Sequence, residues 1–184
     1  MDSGLTITSE RGGGQPAPGT AVKSVRALYT PEQRLRRDAT RWTLVQGILA
    51  PIQFLVFAIS VVLVLRSLIT GDGELAAHVS IIAKTILLYT IMVTGAIWEK
   101  VVFGQYLFAE AFFWEDAVSF VVIALHTIYL GGLLTGRLST VVLFYVALAA
   151  YSVYVVNAVQ FLLKLRAARL QEAREVAARA MVTA

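Results

Sequence analysis

The chain has 184 residues, 58% of them hydrophobic, with a mean hydropathy of +0.71, a net charge of +4 and no cysteine. A soluble domain is about 45–50% apolar, so an ordinary soluble globule is excluded. The missing cysteines exclude disulfides, thiolate metal sites, iron–sulfur clusters and a cysteine nucleophile, and two histidines, His78 and His126, are too few for a multi-histidine metal site.

The cations gather at the two ends, which suits membrane orientation and anionic headgroups. No basic folded domain remains outside the apolar blocks, so nucleic acid is a poor partner. Residues 1–30 carry Gly12-Gly13-Gly14, Pro16, Pro18 and Gly19 with few large apolar side chains, and read as a flexible N-terminal tail. No signal peptide is read there. From Pro31 to Arg41 a short surface helix is expected, with Thr30 as its cap, Pro31 at the first helical position and Gln33 completing a capping box.

Four apolar spans follow, at residues 42–65, 79–98, 117–134 and 138–163. The first and last are uncharged; the second holds Lys84 and the third His126. Gly71-Asp72-Gly73 marks the first turn, and Gly136 makes spans three and four antiparallel neighbours. Residues 164–184 read as a cytoplasmic C-terminal helix. The expected fold is therefore all-α: an integral membrane bundle of four transmembrane helices over residues 31–163. An interfacial cytoplasmic segment joins helices two and three. Counting cations puts both termini on the cytoplasmic side.

The second loop, EKVVFGQYLFAEAFFWED, holds six aromatics between charged ends, and must lie in the interface or fold back onto the bundle. Its bland reading is an aromatic belt. Its functional reading is a wall of a pocket for a large flat apolar ligand, with Trp98 and Trp114 contributing. Glu115, Ser119, Val122 and His126 share one face of span three. His126 lies about 16 Å deeper than Glu115 at 1.5 Å per residue, near the midplane. There a histidine is either hydrogen-bonded to a neighbouring helix or functional, as an axial ligand to a macrocycle metal or a proton relay. Gln46 and Gln53 share a face of span one, and Asn157 and Gln160 a face of span four. With Glu99 and Glu115 they place polar groups at one depth in all four spans, which suggests a polar pocket beyond ordinary helix–helix hydrogen bonding. Lys84, about 22 Å along the helix from Glu99, is expected to snorkel at the far side. No phosphate-binding loop, nucleophile elbow, HExxH helix or internal repeat is present.

The segments LYTPEQRLRRDATRWTLVQGILAPIQFLVF, LYTIMVTGAIWEKVVFGQYLFAEAFFWEDAVS, ALHTIYL and NAVQFLLKLR, within Leu28 to Arg169, resemble the 3-vinyl bacteriochlorophyllide hydratase family. The resemblance implies a hydro-lyase of bacteriochlorophyll a biosynthesis in a bacterial inner membrane. It would add water to the 3-vinyl group of a chlorophyllide or bacteriochlorophyllide, giving a 3-(1-hydroxyethyl) product. No cofactor is implied beyond the substrate's own magnesium, which His126 could ligate. Position makes Glu115 the first choice for the acid, with Asp116 or Glu99 orienting water. Membrane lipids are expected partners; other enzymes of the pathway and a homo-oligomer are left open. The rival readings are a non-catalytic pigment-binding or assembly subunit, and a small transporter. The transporter is disfavoured because the outer halves of spans one and four look apolar.

Overall fold

The computed structural model describes residues 28–183, so the expected tail lies outside the described residues except for its last three. Those residues contain Tyr29, which is 4% exposed and belongs to the packed body of the protein. The described residues form five helices and no strand: α1 (Pro31–Ala39), α2 (Arg41–Thr70), α3 (Glu74–Phe103), α4 (Phe113–Thr135) and α5 (Thr140–Thr183).

Local chemistry sets the ends. The Thr30 hydroxyl accepts from the Gln33 N–H at 3.2 Å, and the Gln33 side chain accepts from the Thr30 N–H at 2.8 Å, a complete capping box with Pro31 behind it. Thr40 is extended; its hydroxyl accepts from the Trp42 N–H at 3.4 Å and opens α2. Helix α3 stops at Gly104, whose φ of +88° an L side chain rarely adopts.

Four of the helices, α2 to α5, are long and apolar enough to cross a membrane. Large side chains such as Leu55, Val62 and Ile86 are 60%, 64% and 61% exposed, as lipid-facing residues of a bundle are. At 1.5 Å per residue the 44 residues of α5 span about 66 Å, more than the roughly 40–45 Å of a whole bilayer. The segment expected as a C-terminal helix leaving the membrane continues the fourth span without a break through Thr183.

Helices α2 and α3 pack as one hairpin and α4 and α5 as another. The hairpins meet closely at the end that carries the Gly71 and Gly136 turns. Val64, Ala77, Ile81, Tyr129, Phe144, Ala147 and Tyr151 fill that core. A Cβ on Gly132 would lie 2.5 Å from Leu138 Cδ1, so the α4–α5 approach there needs glycine or a shift of Leu138. This half is less apolar than its sequence suggests. Ser60 bonds Ser80 at 2.7 Å and Tyr151 at 2.6 Å, and His78 Nδ1 bonds the Tyr129 hydroxyl at 2.5 Å. Pairing leaves none of these groups bare in hydrocarbon, and the expected apolar outer half of span one is interrupted by Ser60, which Tyr151 near the middle of span four and Ser80 both bond. Lys84 is corrected as well: it does not snorkel but is fully buried, with its Nζ 3.6 Å from the centroid of the Tyr154 ring.

At the other end the hairpins splay, and α1 and the α3–α4 loop cover the gap. The loop folds back, as one of the two expected alternatives has it. Phe112 is buried against Tyr29, Trp98, Phe103 and Phe161. The loop is shorter than its sequence suggests, because α3 runs on to Phe103 and α4 starts at Phe113. Arg34 makes a two-pronged ion pair with Glu175, at 2.7 and 2.9 Å, tying α1 to the far part of α5.

Candidate functional site

Between the splayed hairpins lies a cavity of about 780 Å³, within the range of roughly 300–1,000 Å³ found for small-molecule sites. All four spanning helices line it. From α2 come Gln46, Gly47, Pro51 and Gln53. Pro51 removes a helical N–H and leaves the Gly47 carbonyl without its usual partner. Helix α3 supplies Leu88, Gly95, Trp98 and Glu99, α4 supplies Asp116, Ser119 and Val122, and α5 supplies Tyr154, Asn157 and Phe161. The walls are mainly apolar, with a few convergent polar groups.

Those groups are fixed by their neighbours. Gln46 donates to Thr94 at 2.8 Å, and the Trp98 indole N–H donates to Thr43 at 2.9 Å. Asn157 donates to the Glu115 carbonyl at 2.8 Å and to the Ser119 hydroxyl at 3.0 Å, so α4 and α5 are locked in register beside the cavity. Burial pushes the Tyr29 phenol up to about 12, against the pull of the Arg37 guanidinium over its ring.

Glu99 and Asp116 stand side by side in the cavity wall. They are 5% and 4% exposed, and their carboxyl groups lie within hydrogen-bond reach of each other. A hydrogen bond between two carboxyls requires a proton on one of them, and two ionised carboxylates so close would repel. Each also accepts one N–H from the covering loop. Phe108 donates to Asp116 at 2.7 Å and Ala109 to Glu99 at 3.2 Å. Phe108 is the only non-glycine described residue with positive φ, at +58°, and its ring stacks on Phe120 at 5.4 Å. A left-handed aromatic is unusual strain. Here it turns two successive N–H groups toward two carboxyls.

Glu115 is placed differently. It is also buried, but Lys164 pairs with its Oε2 at 2.5 Å and also donates to the Ala111 carbonyl. It does not line the cavity. Of the other expected site residues, Gln46, Gln53, Trp98 and Asn157 line the cavity together with Glu99 and Asp116. Gln160 and Trp114 do not; Trp114 is 70% exposed. His126 is closed off one turn beyond Val122, with Nδ1 bonded to the Val122 carbonyl at 2.8 Å and Nε2 unpartnered among the described residues. No set of three or more His, Cys, Asp or Glu side chains among the described residues is arranged to hold a metal ion.

Sequence reasoning missed Lys164, Tyr154 and Tyr29 as parts of the site, and named Phe108 only as one of the loop aromatics. A signal existed for two of them. Lys164 stands seven residues after Asn157, on the same helical face. Tyr29 stands just before the Thr30 cap, where an apolar residue commonly packs against the helix that follows.

Fold and site together define a helical membrane protein with a large, mainly apolar cavity beside a buried carboxyl pair. Residues 29–167 match the family model of 2-vinyl bacteriochlorophyllide hydratase, and the chain belongs to that family. A 2-vinyl bacteriochlorophyllide hydratase of Rhodobacter capsulatus is 68% identical over 152 residues, covering 83% of this chain and 88% of the relative. One from Cereibacter sphaeroides is 72% identical over 153 residues, covering 83% and 95%. No solved structure matches the chain.

Proposed function

We propose that this protein hydrates the vinyl substituent of a chlorophyllide or bacteriochlorophyllide to a 1-hydroxyethyl group, with Glu99 and Asp116 handling the protons. The relatives' names locate the vinyl group at position 2 and the sequence resemblance at position 3, labels that depend on the tetrapyrrole numbering convention. The observation that carries the reading is the pair of neighbouring buried carboxyl groups in the wall of a large, mostly apolar cavity.

The protonated member of the pair gives its proton to the terminal vinyl carbon, which becomes a methyl group. The electron pair of the double bond forms the new C–H bond, and the cation appears on the carbon attached to the macrocycle, which delocalises it. Water adds through oxygen to that carbon, and its surplus proton returns to the carboxylate pair. One water is consumed, no electron is transferred, and the pair ends with the proton it started with. The remaining carboxylate charge lies beside the developing cation and lowers the barrier electrostatically. The reaction calls for no redox cofactor, and the magnesium belongs to the substrate. Glu115, paired with Lys164 and outside the cavity lining, is not placed to give a proton to the substrate and serves to anchor α4 against α5. Trp98 and Phe112 pack against the ring; His126 is given no contact with it. The protein sits in the bacterial inner membrane, with both termini and the covering loop on the cytoplasmic side.

Membranes containing the protein, given chlorophyllide a, are expected to yield the hydroxyethyl product by mass and absorption. Glu99→Gln and Asp116→Asn are each expected to lower kcat by about 10²–10⁴-fold while pigment still binds. Pigment that is retained but never hydrated by the unaltered protein would replace the hydratase with a pigment-binding subunit.

A further inference from the structure

The cavity is not closed by apolar side chains alone. Beyond the carboxyl pair it continues between α1 and the far part of α5, where Arg37, Arg169 and Glu172 line its mouth. Arg37 is held in place there. Its Nε donates to Asp38 at 2.7 Å, and its guanidinium lies 4.9 Å above the Tyr29 ring. It also hydrogen-bonds the Tyr29 hydroxyl, and a guanidinium with five N–H donors still has some left for another acceptor. Arg169 is exposed, and none of the described residues is hydrogen-bonded or ion-paired to its side chain. Glu172 is also exposed and opposes the two cations.

Distance matters as well. Phe161 lies at the level of the buried aromatic cluster, and Arg169 stands eight residues further along the same helix, about 12 Å at 1.5 Å per residue. That separation is comparable with the width of a tetrapyrrole ring. A chlorophyllide differs from the corresponding chlorophyll in carrying a free propionate in place of a long-chain ester. A planar guanidinium meets a carboxylate through two parallel hydrogen bonds, and an ester offers no such charge.

We propose that Arg169 and Arg37 bind the free propionate of the substrate at the cavity mouth and so select the acid over its ester, with Glu172 weakening that contact. The proposal rests on the hydratase reading, and adds to it which form of the pigment enters and which way round it sits. The propionate faces the mouth, and the ring and its vinyl group lie inward toward Glu99 and Asp116. Glu172 leaves affinity below its maximum, which allows the product, bearing the same propionate, to leave.

The test is steady-state hydration by the full-length protein in membranes, comparing chlorophyllide a with its methyl ester. The unaltered protein is expected to show a KM at least tenfold lower for the acid. Arg169→Gln is expected to raise KM for the acid about tenfold, leave kcat nearly unchanged and leave the ester's KM where it was. Glu172→Gln is expected to lower KM for the acid and not for the ester. Arg37→Lys, which keeps the charge but loses the planar fork, is expected to fall between the unaltered protein and Arg37→Gln. Equal KM values for acid and ester, or an Arg169→Gln effect of the same size on both, overturn the proposal; the second result would assign the arginine to anionic lipid or to the fold. Failure of the hydratase reading looks different, since neither acid nor ester is then hydrated by the unaltered protein.

Discussion

Glu115 and Asp116 are neighbours in the chain yet answer to different partners. Consecutive residues on a helix diverge by about 100°, so one carboxylate turns toward Lys164 on α5 and the other toward Glu99 on α3. Separate roles follow. Glu115→Gln leaves Lys164 without its counter-ion in a mostly buried setting and is expected to destabilise by about 2 kcal/mol, between the values for exposed and fully buried pairs. Activity per folded molecule should survive far better than in Asp116→Asn, as thermal unfolding and product formation on the same preparations would reveal. Lys84 offers a contrasting case. Its nitrogen is buried with no hydrogen-bond partner among the described residues, only the Tyr154 ring beside it. Lys84→Met keeps the stem and removes the polar atom. Its melting temperature should hold or rise; a marked fall would mean that the nitrogen has a partner after all.

Among the elements, the α3–α4 loop decides whether the carboxyl pair is covered. Gly104 lets α3 end and the chain turn back, and a side chain at its φ of +88° is strained. Gly104→Ala is expected to destabilise the loop by about 1–2 kcal/mol. It should also lower kcat, because the N–H groups of Phe108 and Ala109 lose their hold on Asp116 and Glu99. Hydrogen exchange confined to residues 104–112 would distinguish this from general unfolding. The start of α1 is simpler. Thr30→Ala removes half of a capping box and is expected to weaken α1 by about 1 kcal/mol. The capping box was legible in the sequence because its partners are three residues apart. The loop geometry was not, because the carboxylates that organise it come from two different helices.

On the scale of the whole molecule, two hairpins close at one end and splayed at the other make the cavity. Gly95 lines it, and a Cβ there would meet only the Gln46 side chain at 3.7 Å or more. Gly95→Leu is therefore expected to fill ligand space without disturbing the helix contacts. KM for the pigment should rise sharply while the melting temperature of the empty protein stays level or increases; an unchanged KM would move the ligand elsewhere. The sequence by itself determined the four apolar spans, the glycine turns that end the hairpins and the capping of α1. Each of these follows from hydrophobic length and helical period, which are local properties of a chain in a bilayer. Only the tertiary structure decided that Glu99 pairs with Asp116, that Lys164 claims Glu115, that Lys84 turns inward and that His126 stays behind the cavity wall. Helical period fixes the face a side chain occupies, but which helix that face meets depends on how the hairpins pack, and that is settled by contacts between residues far apart in the chain.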